Sequence, residues 1–370
     1  MKSLLNKAGL YLHIPFCEKK CAYCDFYSVF STNEMMDKYL SALTLEIKKW
    51  GGRFDRPIDT IYIGGGTPSL LGERIIPLLE CVKESFNLEK DCEITAEINP
   101  NADEAFLKAA YHAGVNRLSM GVQSGNDKML KALGRNHTAG MAEDTFKKAR
   151  ETGFKNISLD LMIALPESDL TTLKGDMDFL CGMEPEHISA YILKIEENTA
   201  FYRDKTLKIP DDEEAAAQYL FMCEYLEQKG YRQYEISNFS KVGAQSRHNL
   251  KYWRLDEYLG IGPSTHSFVE NERFYYPRDL KEFINNPQTV SDGSGGDNTE
   301  KLMLSLRLCE GADLTQYVEE LPEDLKKEIS NLQKANLVLF DGKTLKLTPK
   351  GMLVSNSIIT DITELIYENF

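Results

Sequence analysis

No long run of lysine and arginine occurs in this sequence, nor any apolar stretch near the roughly 18 residues of a spanning helix, nor a second cysteine pair to complete a four-thiolate site. Each absence excludes something. Basic residues number 43 against 57 acidic ones, a formal charge of −14. Without a basic stripe to follow a phosphate backbone, nucleic acid is not expected as a partner. The opening "MKSLLNKAGLYLHIPF" lacks a long apolar core leading to a small-residue cleavage site, so the chain reads as cytoplasmic and soluble rather than as an integral membrane protein. Five of the eight cysteines (Cys81, Cys92, Cys181, Cys223 and Cys309) are scattered singly among apolar neighbours and read as packing residues, not as a disulfide framework.

The sequence does have length enough, at 370 residues, for a large α/β domain and a smaller one. Six β-rich runs alternate with helical patterns: "GLYLHIPF", "DTIYIGGG", "CEITAEINP", "VNRLSMGVQ", "KNISLDLMIALP" and "EHISAYILKI". That alternation predicts βαβ units and a parallel sheet. The first helical pattern offers Ser31, Thr32 or Asn33 as N-cap and stops at Gly51-Gly52. Several strands end in polar or glycine clusters (Gly64-Gly65-Gly66, Glu97, Gln123, Asp160), and in parallel barrels the chemistry sits at those C-terminal strand ends. Six units instead of eight predict an α/β fold that is an open, partial (β/α)6 TIM-like barrel over residues 1–210. A mixed, barrel-associated extension follows over 211–290, and "SDGSGGDNTE", 291–300, reads as a linker. Over 301–370 a helix, a hairpin turning at Asp341-Gly342 and a final helix predict a small winged-helix-like α+β domain.

The stretch "HIPFCEKKCAYCDF" packs Cys17, Cys21 and Cys24 into eight positions. Closely spaced thiols in an intracellular chain point to metal or redox work. Structural zinc would need a fourth ligand, which His13 alone could supply nearby. A 4Fe-4S cluster held by three thiolates keeps one iron open to a non-protein ligand, which explains three cysteines without a fourth.

The spacing C-x3-C-x2-C after a first strand resembles the radical S-adenosylmethionine (SAM) proteins. Together with "IYIGGGTPS", "AEINP", "RLSMGVQS", "LGRNHT", "SLDLMIALP", "RHNLKYW" and the later "LTPKG", the chain resembles the HemN/HemW group of that superfamily. The resemblance implies a cluster on Cys17, Cys21 and Cys24 whose open iron binds SAM, the cofactor rather than the protein supplying the radical chemistry. It implies SAM contacts at Tyr11, Gly65, Gly66, Thr67 and Glu97. For a second SAM, as in the coproporphyrinogen dehydrogenase branch, the matching positions are Tyr23, Gln123, Arg135 and Asp160. Read without the family, the triple glycine is a turn and Asp160 a buried hydrogen-bonded carboxylate.

Two departures separate the chain from the dehydrogenase branch. Phe26 stands where that branch has a fourth cysteine, and sixteen residues precede Cys17 where it has a long extension. Both agree with the heme-chaperone branch, as does "HNLKYW", an H-N-x-x-Y-W signature that the resemblance connects to heme. It implies His248 as axial ligand with Tyr252 and Trp253 against the porphyrin; His266 in "GPSTHSF" is a second candidate, either near SAM or as a second heme contact. Ala164 and Glu167 replace glycines of the branch's Gly-Leu-Pro-Gly-Gln turn, and Lys194 adds charge to a later loop. The expected function is a heme chaperone that binds a 4Fe-4S cluster, SAM and heme, and passes heme to an acceptor apoprotein, membrane-bound or not. The rival is oxygen-independent decarboxylation of coproporphyrinogen III in porphyrin biosynthesis, or radical chemistry on another tetrapyrrole.

Overall fold

A computed structural model describes residues 6–30 and 32–367. All six expected strands form: β1 (Ala8–Ile14), β2 (Ile58–Gly65), β3 (Leu88–Ile98), β4 (Arg117–Gln123), β5 (Ile157–Ile163) and β6 (His187–Ile192). They pair in sequence order, each parallel to the next. Their near-continuous apolar runs are what a parallel sheet needs, because helices cover its outer face. Among these are α1 (Asn33–Gly51), α2 (Ile75–Ser85), α3 (Glu104–His112), α4 (Ala139–Thr152) and α5 (Leu170–Gly182). Thr32 caps α1, its hydroxyl accepting from the Met35 amide; Ser31 lies outside the described residues.

Residues 211–290 extend this sheet at both edges. Helix α6 (Asp212–Gln228) leads to β7 (Arg232–Gln233) and β8 (Asn238–Ser240), and β8 adds antiparallel to β6. Helix α7 (Arg247–Arg254) then crosses to the other side, where β9 (Tyr258–Ile261) pairs parallel with β1. β10 (His266–Val269), β11 (Glu272–Tyr275) and β12 (Val290–Ser294) continue antiparallel. The order of this twelve-stranded sheet is β12-β11-β10-β9-β1-β2-β3-β4-β5-β6-β8-β7. No ladder joins β1 to β6 among the described residues, so the barrel is open.

The expected linker over 291–300 is not a free connection. Its first half belongs to β12, an exposed edge strand, and its second half enters helix α8 (Asn298–Ser305) with Asp297 as N-cap. Beyond it, β13 (Ala312–Asp313), β14 (Val338–Phe340) and β15 (Thr344–Leu347) form a small antiparallel sheet with helix α9 (Glu323–Lys334). The hairpin lies one residue later than expected. Its turn spans Asp341 to Thr344, Gly342 takes a φ of +96°, and the Asp341 carboxylate accepts from the Lys343 and Thr344 amides. The last helical pattern breaks into α10 (Pro349–Leu353) and α11 (Ser355–Tyr367). Among the described residues no helix is long and apolar enough to cross a membrane.

Candidate cluster and SAM site

Residues of β2 to β6 and of the loop that follows β1 line a cavity of about 500 Å³. Cys17, Cys21, Cys24, Tyr23, Gly65, Gly66, Thr67, Glu97, Gln123, Arg135 and Asp160 all line it. A second cavity of about 300 Å³ shares Phe26, Gly65 and Glu97 with the first and adds Tyr11, Tyr252 and His266. Tyr11 therefore borders only the second space.

The glycine turn after β2 is sterically required. A Cβ on Gly66 would stand 2.5 Å from the Phe16 carbonyl oxygen, and one on Gly65 would stand 2.4 Å from the His13 ring. Gly65 also has a φ of +114°, where an L side chain is strained. Its amide donates to Glu97 Oε2 at 2.9 Å, while Tyr62 donates to Glu97 Oε1 at 2.9 Å. Burial raises the Glu97 carboxyl, and these two donors oppose that rise. The result is an oriented carboxylate at a strand end, suited to an ammonium or a ribose hydroxyl.

The cysteine loop is clamped from several elements. Ala22 donates its amide to Leu133 O at 3.0 Å, Phe201 donates to Ala22 O at 3.0 Å, and Asn136 donates to Glu18 at 3.1 Å. His13 holds the loop's far end: Nε2 lies 3.0 Å from the Tyr27 carbonyl and Nδ1 lies 3.1 Å from the Tyr11 hydroxyl. The carbonyl only accepts, so Nε2 carries the proton and Nδ1 accepts from Tyr11. Burial lowers this imidazole to about 4, so it is neutral at pH 7. With both nitrogens engaged, His13 is no fourth metal ligand.

Two donors aim at the thiols: Arg135 Nη1 at 3.3 Å from Cys21 Sγ and Thr67 Oγ1 at 3.6 Å from Cys17 Sγ. No group of three His, Cys, Asp or Glu side chains among the described residues converges closely enough for a single ion. A cubane has no such requirement, because each thiolate takes a different iron corner. Three free thiols on one cavity rim, with donors to two of them, fit that cluster.

Asp160 faces the same space from β5. Burial raises its carboxyl to about 7, with the neighbouring Glu97 charge adding to the rise. Arg117 opposes that charge from the cavity floor. It is 1% exposed, and its Nε has no hydrogen-bond partner among the described residues. Sequence reasoning missed Arg117, Tyr62 and Asn99, which bonds both Thr67 and Arg135. An arginine opening an otherwise apolar strand was the available signal for the first. Gln123 takes a φ of +72° as β4 ends.

The departures at Ala164, Glu167 and Lys194 lie off the cavity lining. Ala164 and Glu167 keep positive φ values of 55° and 60° where the family pattern has glycine. Lys194 is exposed and pairs with Glu196.

The heme expectation fares differently. His248 is 1% exposed, with Nδ1 2.9 Å from Thr60 Oγ1 and Nε2 2.9 Å from the Tyr252 hydroxyl. Neither nitrogen is open to an iron in this conformation. Burial lowers the ring to about 3, so it is neutral. The reason is the position of α7, whose first amides donate to Glu93 of β3 and whose Asn249 lines the main cavity. The helix plugs the barrel beneath the strand ends. Trp253 turns away, packing with Tyr234, Leu250 and Leu308 of the segment that enters the C-terminal domain. Of the motif, Tyr252 alone reaches the second cavity.

The comparison with known proteins agrees with this geometry. The Radical SAM superfamily pattern matches residues 11–180, and the HemN C-terminal domain pattern matches residues 299–354. "Heme chaperone HemW" of Bacillus subtilis is 34% identical over 367 residues, covering 94% of this chain and 97% of that protein. "Heme chaperone HemW" of Escherichia coli K12 is 41% identical over 269 residues, 72% of this chain and 71% of that one. Among solved structures, the coproporphyrinogen III oxidase HemN of Escherichia coli, a radical SAM enzyme, superposes with a TM-score of 0.82 at 23% identity. That match covers 98% of this chain and 91% of that one and bears on the fold. Fold and cavity are those of a radical SAM barrel. The chain belongs to the HemN/HemW group of that superfamily, in its HemW branch. Membership implies a 4Fe-4S cluster and SAM. Such a cluster, when present, supplies an electron to bound SAM.

Proposed function

We propose that this protein is a heme chaperone: Cys17, Cys21 and Cys24 hold a 4Fe-4S cluster, SAM binds in the main cavity, and heme carried at the adjoining mouth passes to an acceptor apoprotein. The observation that carries the reading is the rim of three thiols facing the Gly65–Glu97 pair across one cavity. Gly65 and Gly66 admit the amino-acid end of SAM against bare backbone, and the Glu97 carboxylate takes its ammonium or ribose. Thr67 and Arg135 donate toward the sulfurs of Cys17 and Cys21. Tyr23, Gln123, Arg135 and Asp160 leave polar lining for a second SAM. Heme itself rests on the relatives' names.

Decarboxylation of a porphyrinogen is the rival, and Phe26 at the fourth-cysteine position disfavours it. After anaerobic reconstitution, heme uptake is followed by absorbance, heme delivery by transfer to an apo-hemoprotein, and decarboxylation by product analysis with coproporphyrinogen, SAM and a reductant. Heme uptake and transfer without vinyl product is expected. Vinyl product, or no heme uptake, would overturn the reading.

A further inference from the structure

Asp176 lies on α5 and is 3% exposed, yet it lines neither cavity. Its Oδ1 accepts from the Ser124 hydroxyl at 2.7 Å and from the Gly125 amide at 2.8 Å. Both donors are neutral, and burial raises the carboxyl to about 6 while those two donors oppose the rise. Burying a carboxylate against neutral donors costs more than packing an apolar side chain there. What it fixes is the exit of the chain from β4.

That exit is held on a second side. One turn further along α5, Phe179 packs so closely that a Cβ on Gly125 would stand 2.7 Å from the Phe179 Cβ. The Asn126 amide donates back to Ser124 Oγ at 3.0 Å, and Asn126 Oδ1 caps a short helix, Asp127–Ala132, at the Lys128 amide. Beyond this helix the chain meets the cysteine loop. The Leu133 carbonyl accepts from the Ala22 amide, and Arg135 donates to Cys21 Sγ and to the Gly121 carbonyl of β4. The return is fixed by His137 Nε2, which donates to the Val122 carbonyl at 3.1 Å, and by the Ala139 amide, which donates to Asp127 at 2.8 Å. Residues 124–138 thus form one short excursion, tied at its base to α5 and β4 and touching the cluster loop at its tip.

We propose that Asp176 is a positioning residue for the cluster loop: it fixes the turn out of β4, and through the excursion it sets where Leu133 and Arg135 meet Ala22 and Cys21. This rests on the three-thiolate cluster reading above and names a residue outside both cavities on which that site depends. Both donors meet at one oxygen, so an amide oxygen accepts them as well as a carboxylate does. Asp176→Asn therefore keeps the clamp. Asp176→Leu, of similar volume, leaves the buried Ser124 hydroxyl and the Gly125 amide without their acceptor.

The test uses the full chain with its cluster reconstituted under anaerobic conditions. Two quantities are read: the rate of iron release to a ferrous chelator, and the electron paramagnetic resonance (EPR) spectrum of the reduced cluster with and without SAM. Asp176→Leu is expected to release iron about tenfold faster than wild type and to shift the spectrum, as the loss of two buried hydrogen bonds at the base of the clamp implies. Asp176→Asn is expected to match wild type in both. Ser124→Ala, which removes one donor and the acceptor of the Asn126 amide, is expected to move both readouts the same way by less. Ile329→Ala, in the core of the C-terminal module, serves as a control that lowers stability by a comparable amount in denaturant unfolding, and it is expected to leave both readouts at wild type. Wild-type release and spectrum in Asp176→Leu or in Ser124→Ala overturn the assignment, as do an Asn variant as impaired as the Leu variant and a control that behaves like it. Wild type that assembles no cluster overturns the cluster reading itself, a distinct result.

Discussion

Asp160 faces Glu97 in a cavity where both burial and like charge oppose its ionisation, and its pKa rises to about 7. The unfolded chain releases that proton near 3.8. The folded chain therefore binds more protons between those values, and stability falls as pH climbs through that window. In Asp160→Asn this contribution disappears. Since the carboxyl meets cavity water, the ligand-free variant should gain ~1–2 kcal/mol over wild type at pH 8 and little at pH 4, read by urea unfolding. An equal gain at both pH values would contradict the assignment. Glu167 supplies a second residue-scale case. Exposed at φ +60°, it pairs with exposed Lys128, a bond of small worth. Glu167→Gly should raise stability by ~0.5–1 kcal/mol in thermal unfolding. At this scale the cysteine triad and Glu97 were legible in the sequence, because spacing and strand ends express them. The partners of His248 were not. Thr60 and Tyr252 meet its ring only after α7 enters the barrel, and no local pattern encodes that docking.

At the scale of the element, the turn after β2 and the plug helix α7 are the two devices that shape the cavity. Gly66→Ala drives a methyl into the Phe16 and Ile14 carbonyls, 2.5 and 2.9 Å from its Cβ. The backbone must yield, at a cost of ~1–3 kcal/mol, and SAM's effect on the cluster spectrum should weaken or vanish. His248→Ala strips α7 of two buried hydrogen bonds and leaves Thr60 and Tyr252 unpaired. The expected loss is ~2–4 kcal/mol in denaturant unfolding, a structural signature separate from any change in heme spectrum. The six barrel strands were legible because their apolar runs end in glycine or polar residues. Strand β12 was not. Its residues "VSDGS" carry linker chemistry and pair through backbone alone at an exposed edge.

For the whole molecule, the open barrel places the cluster loop, the glycine turn and the second cavity on one face, while the C-terminal module packs on the side of α7. Leu308 joins Leu250 and Trp253 there, and an isolated bridge links Glu235 to Leu308. The order of the parallel strands and the small last domain could be read in advance. The continuation of the sheet on both edges could not, because it depends on non-local pairing of short strands. The central claim is a three-thiolate 4Fe-4S cluster with an iron open to SAM. Anaerobic reconstitution followed by iron and sulfide analysis and by EPR of the reduced protein tests it most directly. About four irons and four sulfides per chain, with a signal that changes when SAM is added and disappears in Cys21→Ala, is the predicted result. A colourless protein carrying zinc, or a cluster spectrum indifferent to SAM, would contradict it.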